Sequence, residues 1–256
     1  MSMAPIGVFD SGIGGLSVLK ALRAELPGEH FVYLADNAHA PYGERGDDHV
    51  IARTRAVVQR LREEHAIKAL VIACNTATAA AIHLVRSEHP DLPLVGVEPA
   101  LKPAAAATRT GRVGVLATRG TLASAKLRVL HDSLRGQAEF VLQPCDGLAD
   151  AIEARDHAQV SALCARYTQA LGPLGRGTGQ VDTVVLGCTH YPFAWTELAM
   201  LVGPDVGLVE TGEPVARQTR RLLQAKGQLA PDGAGSLALL STGPRHSLES
   251  AAAQWL

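Results

Sequence analysis

Short β-rich, mostly apolar runs alternate with longer amphipathic stretches along nearly the whole chain. That alternation limits what the chain can fold into more than any other feature. The runs fall at 6–9, 30–34, 69–73, 93–97, 113–117, 139–143, 183–186, 206–209 and 238–240. Helix-like spacing fills 15–26, 47–64, 77–87, 99–108, 122–134, 159–171, 193–201 and 213–224. A strand that is apolar at every position is buried on both faces, and strands separated by helix-length crossovers run in one direction. The pattern predicts an α/β fold with mostly parallel sheets. The glycine-rich stretches GPLGRGTG (172–179) and APDGAGS (230–236) read as surface loops.

The chain also echoes itself. IGVFDSGIGG (6–15) and VGVLATRGT (113–121) are each a strand followed by a polar turn, and VIACNT (71–76) has its counterpart in VLGCTH (185–190). Similar intervals separate the members of each pair, which predicts two similar α/β domains. One comprises 1–97 with 211–256 and the other 98–210. Each supplies one polar turn and one cysteine.

Composition narrows the function classes. A chain of 256 residues is ample for a hydrophobic core. Its formal net charge of −1 argues against a nucleic acid or an anionic membrane as the main partner. Arg217, Arg220 and Arg221 read as a solvated helix face. The opening MSMAPIGVFD lacks the basic and apolar regions of a signal peptide. The alanine-rich region is broken by Glu98, Lys102 and Arg109, so no stretch reaches the length of a membrane span. A cytoplasmic location is expected. Cys74, Cys145, Cys164 and Cys188 include no C-x-x-C pair, which removes the usual zinc and thioredoxin signatures. No metal site is expected, and in a reducing compartment no disulfide.

FDSGIGG (9–15) invites three readings and fails each. Ser17 stands where a dinucleotide fingerprint needs its third glycine, no Gly-Lys-Ser/Thr ending makes a P-loop, and Phe9 replaces the first glycine of a nucleophile elbow. What survives is Asp10 and Ser11 at the carboxyl end of the first strand, the edge where open α/β sheets bind ligands. A helix beginning there favours an anionic group. Simple helix capping by either residue is the alternative.

The cysteines divide by position. Cys145, after a proline in a loop, and Cys164, inside a helical pattern, read as buried structural thiols. Cys74 and Cys188 both end strands, and both precede groups that can hold an ion: Asn75 and Thr76, then Thr189 and His190. A hydrolase needs one such thiol and an oxidoreductase prefers an adjacent pair. Removing a proton from one face of a carbon and returning one to the other wants two bases. A free thiol titrates at about 8.5, so a thiolate at neutral pH costs roughly 2 kcal/mol, which a histidine or helix N-terminus offsets. The weak acidity of the carbon must be met by stabilising the developing carbanion.

Eight segments in order carry a resemblance: GVFDSGIGGLSVL (7–19), YLADNAHAPYG (33–43), VIACNTATA (71–79), VGVEPA (95–100), GVLATRGT (114–121), LGCTHYP (186–192), ETGEPVARQ (210–218) and LLSTGPR (239–245). Together they resemble the glutamate racemases of the cofactor-independent aspartate/glutamate racemase superfamily, over essentially the whole chain. The resemblance implies two α/β domains with the active site in the cleft between them. It implies interconversion of L- and D-glutamate, without pyridoxal phosphate or metal, to supply peptidoglycan synthesis. Cys74 and Cys188 match the two bases, Cys74 acting on D-glutamate and Cys188 on L-glutamate. Asp10 matches the carboxylate assisting the first cysteine and His190 the histidine assisting the second. Ser11, Tyr42, Gly43, Asn75, Thr76, Thr118, Thr121 and Thr189 match positions that hold the substrate's carboxylates and amino group. PCDGLADAIEARD (144–156) departs from the family's pattern. Glu153 takes the place of the second-domain carboxylate, with Asp150 close by as the alternative.

Other readings stay open at the level of sequence. One is a racemase of the same superfamily acting on aspartate or another small amino acid. Another is a thiol hydrolase using Cys188 and His190, and a third is a non-catalytic glutamate-binding regulator. The resemblance implies a homodimer of unspecified arrangement. Little sequence precedes the first strand, so activation by a cell-wall precursor through an N-terminal extension is the less favoured expectation.

Overall fold

Strand β1 (Ile6–Asp10) has every residue buried, as do β2 (Phe31–Ala35) and β3 (Ala69–Ile72). Strands covered by helices on both faces require this. In the computed structural model, which describes residues 2–231 and 233–256, helix α1 (Leu16–Glu25) joins β1 to β2 and α2 (Asp47–His65) joins β2 to β3. Helix α3 (Asn75–Glu88) leads on to β4 (Leu94–Gly96). Met1 and Asp232, the latter in the predicted loop 230–236, lie outside the described residues. The chain continues through α4 (Leu101–Ala107), β5 (Arg112–Ala117), α5 (Arg119–Ala123), α6 (Ala125–Asp132), β6 (Glu139–Pro144) and α7 (Leu148–Glu153). Then come α8 (His157–Ala170), β7 (Thr183–Gly187), α9 (Trp195–Val202), β8 (Gly207–Val209), α10 (Gly212–Ala225), β9 (Leu237–Ser241) and α11 (Arg245–Trp255).

Two compact units result. One runs to Val97 and resumes at Gly212, and the other spans Glu98–Thr211. The first holds a sheet of order β4-β3-β1-β2-β9 and the second a sheet of order β6-β5-β7-β8. Every strand pairing among the described residues is parallel. The α/β class and parallel sheets expected from the apolar runs are therefore what the chain adopts. In the second unit Leu116, Val184 and Leu186 enter one core cluster, while Val113, Val115, Ala117 and Val185 enter another. Alternate residues of the same strands thus face opposite, equally buried sides.

Both sheets reverse their order at one place. The chain leaves β1 for β2 on one side and later adds β3 on the other; β5 stands in the same relation to β6 and β7. With right-handed crossovers, the helices following the two strands at such a reversal lie on opposite faces and leave a crevice beyond the carboxyl ends. The register sets Phe9 beside Ile72 and Ala117 beside Gly187. Immediately beyond these pairs come Asp10, Ser11 and Cys74 in the first unit, and Thr118 and Cys188 in the second.

The local boundaries differ from expectation in four places. The single helix expected over 122–134 is two, because Ser124 is extended and its hydroxyl caps α6 by accepting from the Leu127 amide at 3.1 Å. Helices α7 and α11 went unread. The first is one short turn and a half behind Gly147 in a left-handed conformation, and the second buries mainly small alanines through Ala251 and Ala252. Helix α3 begins at Asn75 rather than at 77, which makes Cys74 its N-cap.

Gly187 lets β7 lie close to β5 at the reversal point. A Cβ there would stand 2.9 Å from the Ala117 Cβ and 2.9 Å from the Leu116 carbonyl oxygen. Gly187→Ala is expected to destabilise the chain by about 1–3 kcal/mol through overpacking. In urea unfolding, Ala117→Gly added to that variant should recover part of the loss.

Candidate active site

In the first unit the sulfur of Cys74 occupies the position usually filled by a serine or aspartate oxygen. It caps α3 by accepting from the Ala77 amide at 3.4 Å. The first amides of a helix have no intrahelical acceptor, and together with the helix dipole they favour negative charge at this point. Buried Cys74 also lies 3.8 Å from the Ser11 hydroxyl. Asp10, fully buried, accepts through Oδ2 from the Gly12 amide at 3.2 Å and the Gly15 amide at 2.8 Å. Asn75 is buried, and both ends of its side-chain amide lack a protein partner. An unsatisfied buried amide is costly, so a polar ligand group is the natural partner.

The second unit supports its cysteine differently. The Cys188 sulfur lies 3.6 Å from His190 Nδ1, and His190 Nε2 lies 2.7 Å from Glu153 Oε1 at the end of α7. Burial opposes charge on the imidazole. Its contacts with Cys188 and Glu153 outweigh that penalty and hold its pKa well above the ordinary 6.5. A protonated ring donates from both nitrogens, to the sulfur on one side and the carboxylate on the other. An imidazolium at this distance stabilises negative charge on sulfur. Thr118 caps α5, accepting from the Thr121 amide at 3.3 Å and donating to the Thr121 hydroxyl at 2.9 Å. Thr76 and Thr189 are buried beside their respective cysteines in sequence.

Tyr42 and Gly43 come from the turn after β2. Tyr42 is buried, packs edge-on against Phe9 with ring centroids 6.2 Å apart, and donates its hydroxyl to Asp36 Oδ2 at 2.6 Å. Burial, then that hydrogen bond, pushes its pKa up. Arg53 closes on the same carboxylate with two bonds of 3.0 Å. Asp36 and Arg53 went unnoticed in the sequence, although a charged residue ending an otherwise apolar strand was a visible signal. The remaining thiols are inert by environment: burial pushes Cys164 up to about 12, and pushes Cys145 higher still. No group of His, Cys, Asp and Glu among the described residues has the arrangement to hold a metal ion. No helix among them is long and apolar enough to cross a membrane.

A family model described as Asp/Glu/Hydantoin racemase matches residues 6–219. The chain belongs to that family. Membership makes it an isomerase that inverts a carbon stereocentre. Among curated members of this racemase family, the glutamate racemase of Pseudomonas paraeruginosa is 52% identical over 230 residues, covering 89% of this chain and 84% of the relative. That of Pseudomonas putida (strain W619) is 48% identical over 248 residues, covering 96% and 91%. The solved structure of glutamate racemase isoform RacE1 from Bacillus anthracis superposes with a TM-score of 0.88 at 32% identity, covering 100% of this chain and 94% of that one. The Francisella tularensis glutamate racemase in complex with D-glutamate gives a TM-score of 0.84 at 26% identity, with coverage of 100% and 94%.

The raised pKa of His190 ties its contacts to stability. A group whose pKa is higher folded than unfolded stabilises fully below its unfolded value and loses that contribution as pH rises through the folded one. Thermal melts of this racemase and its His190→Asn variant should differ most near pH 6 and converge toward alkaline pH. A gap that widens with pH would mean the ring is buried neutral.

Proposed function

We propose that this racemase interconverts L- and D-glutamate by a two-base mechanism, without pyridoxal phosphate. In the D to L direction the Cys74 thiolate takes the α-proton and the Cys188 thiol delivers its proton to the opposite face. The reverse direction exchanges their roles. The chemistry requires the two sulfurs to address opposite faces of one α-carbon. Asp10 assists Cys74, and His190 with Glu153 assists Cys188 and stabilises the thiolate left when it has given up its proton. Ser11, Tyr42, Gly43, Asn75, Thr76, Thr118, Thr121 and Thr189 hold the substrate's carboxylates and amino group. We read 1–97 with 211–256 and 98–210 as the two domains of a cytoplasmic homodimer that supplies D-glutamate for peptidoglycan.

One observation carries this reading. Two cysteines stand at equivalent reversal points of two sheets of like topology, each beside groups that stabilise its negative charge. The relatives' substrate supplies the identity of the amino acid. Glutamate also suits the unsatisfied Asn75 amide, because it offers two carboxylates and an ammonium.

The test is proton NMR of L-glutamate and, separately, D-glutamate with the pure chain in deuterated water and no added pyridoxal phosphate. The α-proton signal should vanish from both, with optical activity decaying to zero. Cys74→Ser and Cys188→Ser should each lower the rate by roughly 10²- to 10⁴-fold. Folded, reduced protein that leaves both signals intact would refute the glutamate assignment, and full activity in either variant would refute the two-base scheme.

A further inference from the structure

The polar turn after β1 is braced from the neighbouring strand. Tyr33, buried in the middle of β2, donates its hydroxyl to the Gly12 carbonyl at 2.7 Å. Asp10 holds the same turn through the amides of Gly12 and Gly15. A Cβ on Gly15 would stand 2.7 Å from the Asp10 Cβ, 2.9 Å from the Tyr33 hydroxyl and 3.1 Å from the Ala73 Cβ. Three groups thus converge on a point that only a residue without a side chain leaves open. Ser11, between Asp10 and Gly12, faces the Cys74 sulfur. A phenylalanine at 33 would fill the same core volume, so packing does not account for the hydroxyl.

We propose that Tyr33 is a positioning residue for the Cys74 half of the reaction, fixing through the Gly12 carbonyl the turn that presents Asp10 and Ser11 to the sulfur. The inference rests on reading Cys74 as one of the two bases. Tyr33 touches no reacting atom in this account. Its hydroxyl acts through the backbone of Gly12, and its loss lets the turn drift from the sulfur by a fraction of an ångström.

Tyr33→Phe tests this with the full chain, and the wild type is first required to exchange the α-proton of glutamate. Absence of exchange in the wild type would refute the functional reading itself, separately from the role of Tyr33. The two enantiomers have equal free energy, so kcat/KM must fall equally in both directions, by roughly 10- to 100-fold for a small misplacement. The discriminating readout is the isotope effect with α-deuterated substrate. It should rise for D-glutamate, whose proton Cys74 removes, and fall for L-glutamate, whose proton Cys188 removes. Gly15→Ala, which pushes Asp10 and Tyr33 apart, should give the same opposed pair of shifts. Isotope effects that shift alike or not at all in the two directions, or two variants that are simply unfolded by circular dichroism, would overturn the proposal and leave Tyr33 a structural residue.

Discussion

The site depends on a reversal of order between neighbouring parallel strands. A parallel sheet has nowhere to bind along its faces, because helices cover them. It opens only where two adjacent strands send their helices to opposite sides. Each unit has one such place, at β1 beside β3 and at β5 beside β7. The apolar strands, the glycine before Cys188 and the turns after β1 and β5 all serve to bring two chain segments close at that edge. Cys74 and Cys188 stand there because it is the one part of each sheet where a polar atom leaves the core without leaving the framework.

The two cysteine environments share a scaffold but not an electrostatic solution. In the register of the strands, Asp10 corresponds to Ala117 and Ser11 to Thr118. The carboxylate that ends β1 has no counterpart at the end of β5. Its place in the second unit is taken by groups from elsewhere, His190 in the turn after β7 and Glu153 at the end of α7. Cys74 draws on the amides at the head of a long helix, whereas Cys188 draws on a charged ring. One support is insensitive to pH and the other titrates. A duplicated topology therefore leaves room for each sulfur to be tuned alone.

The strands were legible because packing between helices leaves them mostly apolar, and the apolar runs predicted them to within a residue or two. The helices were less so. Ser124 reads as an ordinary helical residue until its hydroxyl is seen capping Leu127, and α11 hides behind alanines that carry little hydrophobic signal. At the site, the cysteines, Asp10 and His190 stood out by position and by the resemblance. The links among them did not. That Glu153 reaches His190, that Arg53 reaches Asp36, and that Tyr33 crosses to Gly12 are contacts between segments distant in sequence, which no local pattern encodes.

The placement of Cys74 at the head of α3 joins chemistry to local folding. An ionised sulfur accepts strongly from the Ala77 amide, and a protonated one accepts weakly. In the proposed cycle the sulfur changes state with every inversion, so the first turn of α3 is tightened and relaxed in step with it. A cap contributes on the order of 0.5–2 kcal/mol to its helix. Amide hydrogen exchange at the start of α3, slow beside turnover, would then report the fraction of time the sulfur spends ionised, chemistry read in the backbone rather than in the substrate.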